Sequence, residues 1–196
     1  MQQPIFLVSG LPRSGTSMMM KMLEAGGIEI VTDHLRQADD DNPKGYYELE
    51  KVKHLQNDAR WMHYMRGKAL KVVSSLLFYV PLSLPYKIIF MRRDIGEILA
   101  SQKKMLDSRG EESNTITDDV LRQKYATHLE KIREWIAARR NVECVYLEYA
   151  EILKDPLGGA RAVQEFLGQP LQLEAMAAVV DPDLYRNRGE HSQAMH

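Results

Sequence analysis

The chain has 196 residues, of which 27% are charged, and its formal net charge is −1. This length suits one domain with a substantial core, and the near-zero charge argues against a nucleic-acid partner or an anionic membrane surface. The single cysteine, Cys144, excludes an internal disulfide, no apolar run approaches the length of a membrane span, and no basic leader precedes the first strand. We therefore predict a soluble, cytoplasmic protein with one domain over residues 1–196.

A glycine-containing loop follows the first predicted strand. The apolar run 5–8 leads into Ser9-Gly10-Leu11-Pro12-Arg13-Ser14-Gly15-Thr16-Ser17, and a helical stretch then continues to the paired glycines 26–27. A strand, a tight loop and a helix in this order turn backbone N–H groups towards one point, where the helix dipole also favours negative charge. The loop is therefore predicted to bind a phosphate or a similar anion.

The rest of the chain alternates short apolar runs with helical patterns. Continuous apolar strands that alternate with helices are typical of a parallel sheet covered on both faces. We therefore predict an α/β protein with three layers and a mostly parallel central sheet of about five strands. After the loop, the predicted strands are 28–31, 69–73, 86–91 and 142–147, and the predicted helices are 48–64, 95–107, 117–140, 155–168 and 171–179.

The spacing of the loop is close to that of an ATP-binding P-loop, but one residue differs. That motif needs a lysine at the position of Thr16, whereas the cation in this loop is Arg13. Ordinary ATP chemistry depends on the missing lysine. The sequence Pro12-Arg13-Ser14-Gly15-Thr16-Ser17 instead resembles the 5′-phosphosulfate loop of sulfotransferases. The resemblance implies a P-loop NTPase-like fold and 3′-phosphoadenosine 5′-phosphosulfate as cofactor, with no metal.

Further segments strengthen this resemblance. Sulfotransferases carry an arginine at the end of a strand and a serine eight residues later, both on the 3′-phosphate of the cofactor, and Arg93 and Ser101 have this spacing. Tyr149 matches a tyrosine that lies near the adenine in the family. Arg186 and Arg188 are similar to a C-terminal phosphate loop of the family. The resemblance therefore implies that these residues bind the cofactor together with residues 12–17.

Candidates for catalysis lie after other predicted strands. Lys71 stands where the family places a lysine near the sulfonate, whereas the histidine that acts as base in the cytosolic branch is replaced by Val73. Other branches use a glutamate beyond the second strand, roughly where Asp33 and His34 stand. We predict that His34 or Asp33 is the base, with Glu48 as a further candidate. A histidine suits this role because its ordinary pKa is near neutral pH.

The predicted reaction is in-line transfer of a sulfonate group to a hydroxyl or amine of an acceptor, with Arg13 and Lys71 stabilising charge on the leaving phosphate. The polar segment 32–47 is predicted to be a surface loop, and either a lid that closes over the acceptor or a static loop. Two alternative functions stay open. One is an ATP- or GTP-dependent phosphotransferase on the same scaffold, and the other is a non-catalytic nucleotide-binding module that has lost its base.

Overall fold

Parallel strands form the central sheet of the molecule. The structure is a computed structural model that describes residues 3–33, 47–108 and 116–181. The strands in these ranges are β1 Ile5–Gly10, β2 Ala69–Lys71, β3 Tyr86–Arg92 and β4 Val142–Glu148. Their order in the sheet is β2-β1-β3-β4, and every pair is parallel. Because β1 lies between β2 and β3, the carboxyl ends of these three strands meet at one edge, where open α/β sheets bind their ligands.

Helices connect the strands and cover the sheet. In the described ranges they are α1 Thr16–Ala25, α2 Glu50–Lys53, α3 Ile95–Ser108, α4 Asp118–Ala137, α5 Tyr149–Lys154, α6 Pro156–Leu167 and α7 Leu173–Ala178, with 3₁₀ helices at Arg60–Met65 and Ser74–Tyr79. The Asp155 carboxylate accepts a hydrogen bond from the Gly158 N–H at 2.8 Å and caps α6. None of the helices described is both long and apolar enough to cross a bilayer.

Two hydrophobic clusters pack on opposite faces of the sheet. Successive side chains of a strand point to opposite faces, and in β1 the side chains of Phe6 and Val8 join one cluster whereas those of Ile5 and Leu7 join the other. The first cluster includes Met19 of α1 and residues of α6 and α7. The second includes residues of α4 and of the 3₁₀ helix Ser74–Tyr79. This arrangement confirms the three layers and the α/β class.

Two predicted elements differ from the structure. The segment 28–31 forms a single parallel bridge between Ile30 and Ala69 instead of a full strand, so four strands are described where about five were expected. The predicted helix 48–64 is broken into α2 and the 3₁₀ helix Arg60–Met65. The break has a local cause, because the Asp58 side chain accepts a hydrogen bond from the Arg60 N–H at 3.0 Å. Such a side chain competes with the hydrogen bonds of a continuous helix.

Cys144 lies in β4 and packs, partly buried, against the second hydrophobic cluster. Burial raises the pKa of the Cys144 thiol to about 12. The thiol is therefore neutral at physiological pH, which suits the packing role predicted for it.

Candidate active site

The glycine loop between β1 and α1 has a backbone that only glycine adopts easily at two positions. Gly10 has φ of +149° and Gly15 has φ of +94°. A Cβ atom on Gly10 would lie 2.4 Å from Ser14 Oγ, and one on Gly15 would lie 2.4 Å from Cδ2 of the Tyr149 ring. Arg13, between them, also has a positive φ of 72°. The loop is thus held in a strained, tight conformation, as is common for residues that contact a ligand.

The chemistry of this loop fits an anion. Gly15 occupies the N-cap position of α1, no side chain caps the helix, and its first turn holds no acidic residue. The N–H groups of a first helical turn have no acceptor within the helix. The hydroxyls of Ser9 and Ser14 are buried, and neither has a hydrogen-bond partner among the described residues. Ser14 lies within the loop directly before the uncapped helix start, so its unpaired hydroxyl suits a phosphate group, which would accept a hydrogen bond from it.

Arg13 connects the glycine loop to the next strand-to-helix junction. Its Nε donates a hydrogen bond to Ser101 Oγ at 3.0 Å, and its carbonyl oxygen accepts one from Arg93 at 3.1 Å. Arg93 also forms an ion pair with Glu97 at 2.9 Å, and both side chains are less than a tenth exposed. The structure therefore brings Arg13 together with Arg93 and Ser101, which lie 80 and 88 residues further along the chain.

Tyr149, at the start of α5, completes this side of the site. The Arg93 guanidinium lies 4.6 Å from the centre of the Tyr149 ring, a distance suited to a cation–π interaction. The same ring packs closely against Gly15. Burial raises the pKa of the Tyr149 hydroxyl above its ordinary value, although the nearby Arg93 acts in the opposite direction. The tyrosine is therefore a neutral side chain that fixes Arg93 against the glycine loop.

Lys71, the last residue of β2, lies on the other side of the loop. Its Nζ donates hydrogen bonds to Ser17 Oγ at 3.2 Å and to Glu48 Oε1 at 3.3 Å. The Lys71 side chain is 7% exposed and that of Glu48 is 26% exposed. The ammonium group thus joins the first turn of α1 to a carboxylate that solvent and small molecules can reach.

Asp33 and Thr32 contact the backbone near Glu48. The carbonyl oxygen of Glu48 accepts hydrogen bonds from Thr32 Oγ1 at 2.8 Å and from the Asp33 N–H at 3.2 Å. The Asp33 carboxylate accepts a hydrogen bond from the Glu50 N–H, at the start of α2, at 2.5 Å. The structure therefore places the Glu48 carboxylate in contact with Lys71 and the Asp33 carboxylate in contact with the backbone of Glu50.

A family model described as a sulfotransferase domain matches residues 3–182. The chain belongs to the sulfotransferase family. This sulfotransferase is a transferase enzyme of α/β fold, as the resemblance implied. No curated protein sequence matches it.

Solved structures share the fold of this sulfotransferase at low sequence identity. Sulfotransferase STF1 from Mycobacterium tuberculosis is 16% identical over 91% of this chain and 71% of its own, with a TM-score of 0.56. Mouse sulfotransferase SULT7A1, solved in complex with PAP, is 19% identical over 91% of this chain and 63% of its own, with a TM-score of 0.55. The sulfotransferase domain of the curacin biosynthetic pathway is 13% identical over 96% of this chain and 92% of its own, with a TM-score of 0.55.

The remaining predicted residues of this sulfotransferase lie either in the glycine loop or outside the described residues. Within the loop, Pro12 is exposed and Thr16 is buried at the start of α1. His34, Arg186 and Arg188 lie outside the described residues, as does most of the predicted lid, 34–46. Arg92, adjacent to Arg93, points away from the site and forms an exposed ion pair with Glu148 at 3.1 Å.

Glu48, which the sequence offered only as a further candidate, contacts Lys71 in the structure. It lies 23 positions from Lys71 in the chain, and the spacing of the two shows no motif. The one local signal is its position directly before a helical stretch, after a segment rich in turn residues. Only the tertiary structure shows that its carboxylate contacts Lys71.

Proposed function

We propose that this sulfotransferase moves a sulfonate group from 3′-phosphoadenosine 5′-phosphosulfate to a hydroxyl or amine of an acceptor. The observation that carries the proposal is the contact of Arg13 with both Ser101 and Arg93. It joins an anion-binding loop to a second cationic site, which suits a nucleotide with two separate anionic groups. The presence of PAP in the mouse structure supports the same nucleotide here.

Each part of the donor has residues in this chain that suit it. The loop N–H groups and the Ser14 hydroxyl would hold the 5′-phosphosulfate, because they are hydrogen-bond donors at a helix start. Arg93 and Ser101 would hold the 3′-phosphate, and Tyr149 would lie beside the adenine. A guanidinium and a phosphate form strong, charge-assisted hydrogen bonds, so the 3′-phosphate contributes much of the affinity.

The bound donor supplies an activated sulfonate and a phosphate that leaves with negative charge. The Lys71 ammonium and the Arg13 guanidinium stabilise that charge. Glu48 takes the proton from the acceptor hydroxyl or amine at one of its carboxylate oxygens, and its contact with Lys71 holds that carboxylate in position. We infer Glu48 as the base in preference to Asp33, whose carboxylate accepts a hydrogen bond from the Glu50 backbone.

The test measures binding of adenosine 3′,5′-bisphosphate, AMP and ATP by calorimetry in the absence of magnesium. We expect the bisphosphate to bind at least about tenfold more tightly than AMP, since a charged hydrogen bond contributes about 1.5–3 kcal/mol. Arg93→Ala should remove this preference. Arg92→Ala is the matched control, because its side chain points away from the site and should leave the preference intact.

A second measurement follows sulfonate transfer from the phosphosulfate donor to a panel of phenols, alcohols and amines. We expect turnover with at least one class of acceptor. Equal affinity for AMP and the bisphosphate, together with magnesium-dependent binding of ATP, would contradict the proposal and favour a phosphotransferase.

A further inference from the structure

We propose that Thr32 and Asp33 form a clamp that fixes the Glu48 carboxylate beside Lys71, and that Asp33 acts as a positioning residue and not as a proton acceptor. The inference rests on the proposed function, in which Glu48 is the base. It assigns a role to Thr32 and Asp33, which precede Glu48 in the chain and are separated from it by the segment 34–46.

Three hydrogen bonds hold the backbone that directly follows the Glu48 side chain. The Glu48 carbonyl accepts two of them, at 2.8 Å from Thr32 Oγ1 and at 3.2 Å from the Asp33 N–H. The third joins the Glu50 N–H to the Asp33 carboxylate at 2.5 Å. These bonds hold the backbone from the Glu48 carbonyl to the Glu50 N–H. We therefore expect the Glu48 side chain to leave the backbone in a fixed direction.

The clamp continues the segment that pairs with the strand carrying Lys71. In this segment the Val31 N–H donates to the Ala69 carbonyl and the Ala69 N–H donates to the Glu29 carbonyl, both at 2.9 Å. Lys71 is two residues further along β2. The clamp and Lys71 therefore lie on two paired, adjacent segments, which explains how the carboxylate and the ammonium group meet although they are distant in the sequence.

Tyr47, directly before Glu48, provides a second anchor. It has a positive φ of 52°, which is uncommon for a bulky residue, and its hydroxyl donates a hydrogen bond to Glu24 Oε2 at 2.7 Å. Glu24 lies near the end of α1, the helix that begins at the glycine loop. A strained backbone persists only where its surroundings hold it, so Tyr47 also restrains the backbone directly before Glu48.

The clamp predicts that Asp33 acts through its ability to accept a hydrogen bond, and not through its charge or basicity. Asparagine accepts a backbone hydrogen bond at a helix start as well as aspartate does, but it takes up no proton near neutral pH. Asp33→Asn therefore separates the two roles. Asp33→Ala removes both, and Glu48→Gln removes the proposed base while it keeps a side chain of the same shape.

We expect Asp33→Ala to lower kcat about tenfold or more, because small displacements of a catalytic group reduce rates strongly. The affinity for adenosine 3′,5′-bisphosphate should stay within about twofold of the native value, and kcat/KM should keep its acid limb, since Glu48 is still present. Asp33→Asn should restore most of the lost kcat. Thr32→Val should lower kcat in the same way, and Thr32→Ser, which keeps the hydroxyl, should restore it.

Asp58→Ala is the matched control. The Asp58 carboxylate also accepts a hydrogen bond from a backbone N–H at a helix start, that of Arg60 at 3.0 Å, but it lies outside the Glu48 contacts. We expect this variant to retain native kcat. A comparable loss of kcat in Asp58→Ala would show that the effect of Asp33→Ala is a general loss of helix capping.

A second readout does not depend on turnover. Amide hydrogen exchange at Glu50 should become about tenfold faster in Asp33→Ala and stay near native in Asp33→Asn, because only the alanine variant loses the acceptor. Unchanged exchange, or native kcat, in Asp33→Ala would overturn the clamp. Loss of kcat in Asp33→Asn equal to that in Glu48→Gln would instead identify Asp33 as the proton acceptor. If the native enzyme transfers no sulfonate to any acceptor, the proposed function fails, and the exchange experiment still decides whether the clamp exists.

Discussion

The two sides of helix α1 hold charged groups in different ways. On the nucleotide side, defined by the glycine loop with Arg93, Ser101 and Tyr149, the cations are arginines held by hydrogen bonds, an ion pair and an aromatic ring. On the acceptor side, defined by Lys71, Glu48 and the clamp, one ammonium faces one carboxylate. Arginine stays charged and presents a rigid fork, which suits permanent binding of phosphate, whereas lysine and glutamate exchange protons more readily. This difference suits the proposed division between donor binding on one side and proton transfer on the other.

The largest expected effect separates the two sides directly. Lys71→Ala should lower kcat by about 10²–10³, the usual cost of losing a donor that stabilises developing charge. The affinity for the bisphosphate should change by no more than a few-fold, because the residues proposed to bind its 3′-phosphate stay in place. Steady-state kinetics and calorimetry on the same preparation check both expectations.

Lys87 offers a matched control for this variant. It is also a largely buried lysine on a central strand, but its ammonium donates hydrogen bonds to the Phe166 and Leu167 carbonyls at the end of α6. We expect Lys87→Ala to lower the urea midpoint of unfolding without lowering kcat per folded molecule. A near-native kcat in Lys71→Ala would assign a structural role to Lys71 and remove the contrast between the two sides.

A smaller effect tests the packing of the nucleotide side. Gly15 and Gly27 have nearly the same φ, +94° and +95°, but a Cβ on Gly15 would clash with the Tyr149 ring, whereas one on Gly27 would have its nearest neighbour at 3.9 Å. Gly27→Ala should therefore cost only the backbone strain, about 1–2 kcal/mol of unfolding free energy. Gly15→Ala should cost more and should also weaken bisphosphate binding by about tenfold.

Denaturant unfolding and calorimetry of the two glycine variants measure these effects. Equal destabilisation, with native bisphosphate affinity in both, would show that the close contact between Gly15 and Tyr149 is unimportant for the site. The two variants are comparable because φ is nearly the same at Gly15 and Gly27, whereas only a Cβ on Gly15 would meet a close neighbour.

The two sides also differ in how much of each is visible in the sequence. The glycine loop is a contiguous motif, and Arg93 and Ser101 lie on one strand-to-helix unit, so the resemblance of both segments to sulfotransferases is visible in the sequence alone. That these residues bind the cofactor stays a prediction. The Lys71–Glu48 pair depends on the bridge at Ile30 and on the clamp, which are contacts between distant segments. A single bridge replaced the predicted strand 28–31, and the capping role of Asp58 broke the predicted helix 48–64. In both places tertiary or side-chain hydrogen bonds outweighed the hydrophobic pattern.

The smallest expected effect concerns a titrating group near the acceptor side. His128 of α4 shares a hydrogen bond of 2.8 Å with Ser74, three residues beyond Lys71, and lies against the Phe78 ring. Burial, together with the nearby Lys131, lowers the pKa of His128 below its ordinary value. The unfolded chain therefore takes up the proton at a higher pH than the folded protein does. As a result, stability is highest above about pH 6.5, the ordinary histidine value, and falls as the pH drops below it.

His128→Gln removes this titration and keeps a polar side chain that can form a hydrogen bond with Ser74. We expect the Tm of the native protein to fall relative to that of the variant by no more than a few degrees between pH 7 and pH 5, and their difference to stay constant between pH 7 and pH 8. Thermal unfolding in matched buffers checks this. A difference that is independent of pH over the whole range would show that His128 has the same pKa in the folded and unfolded chain. A pH dependence that follows His128 places at least part of the protein's proton-linked behaviour at the contact between α4 and Ser74.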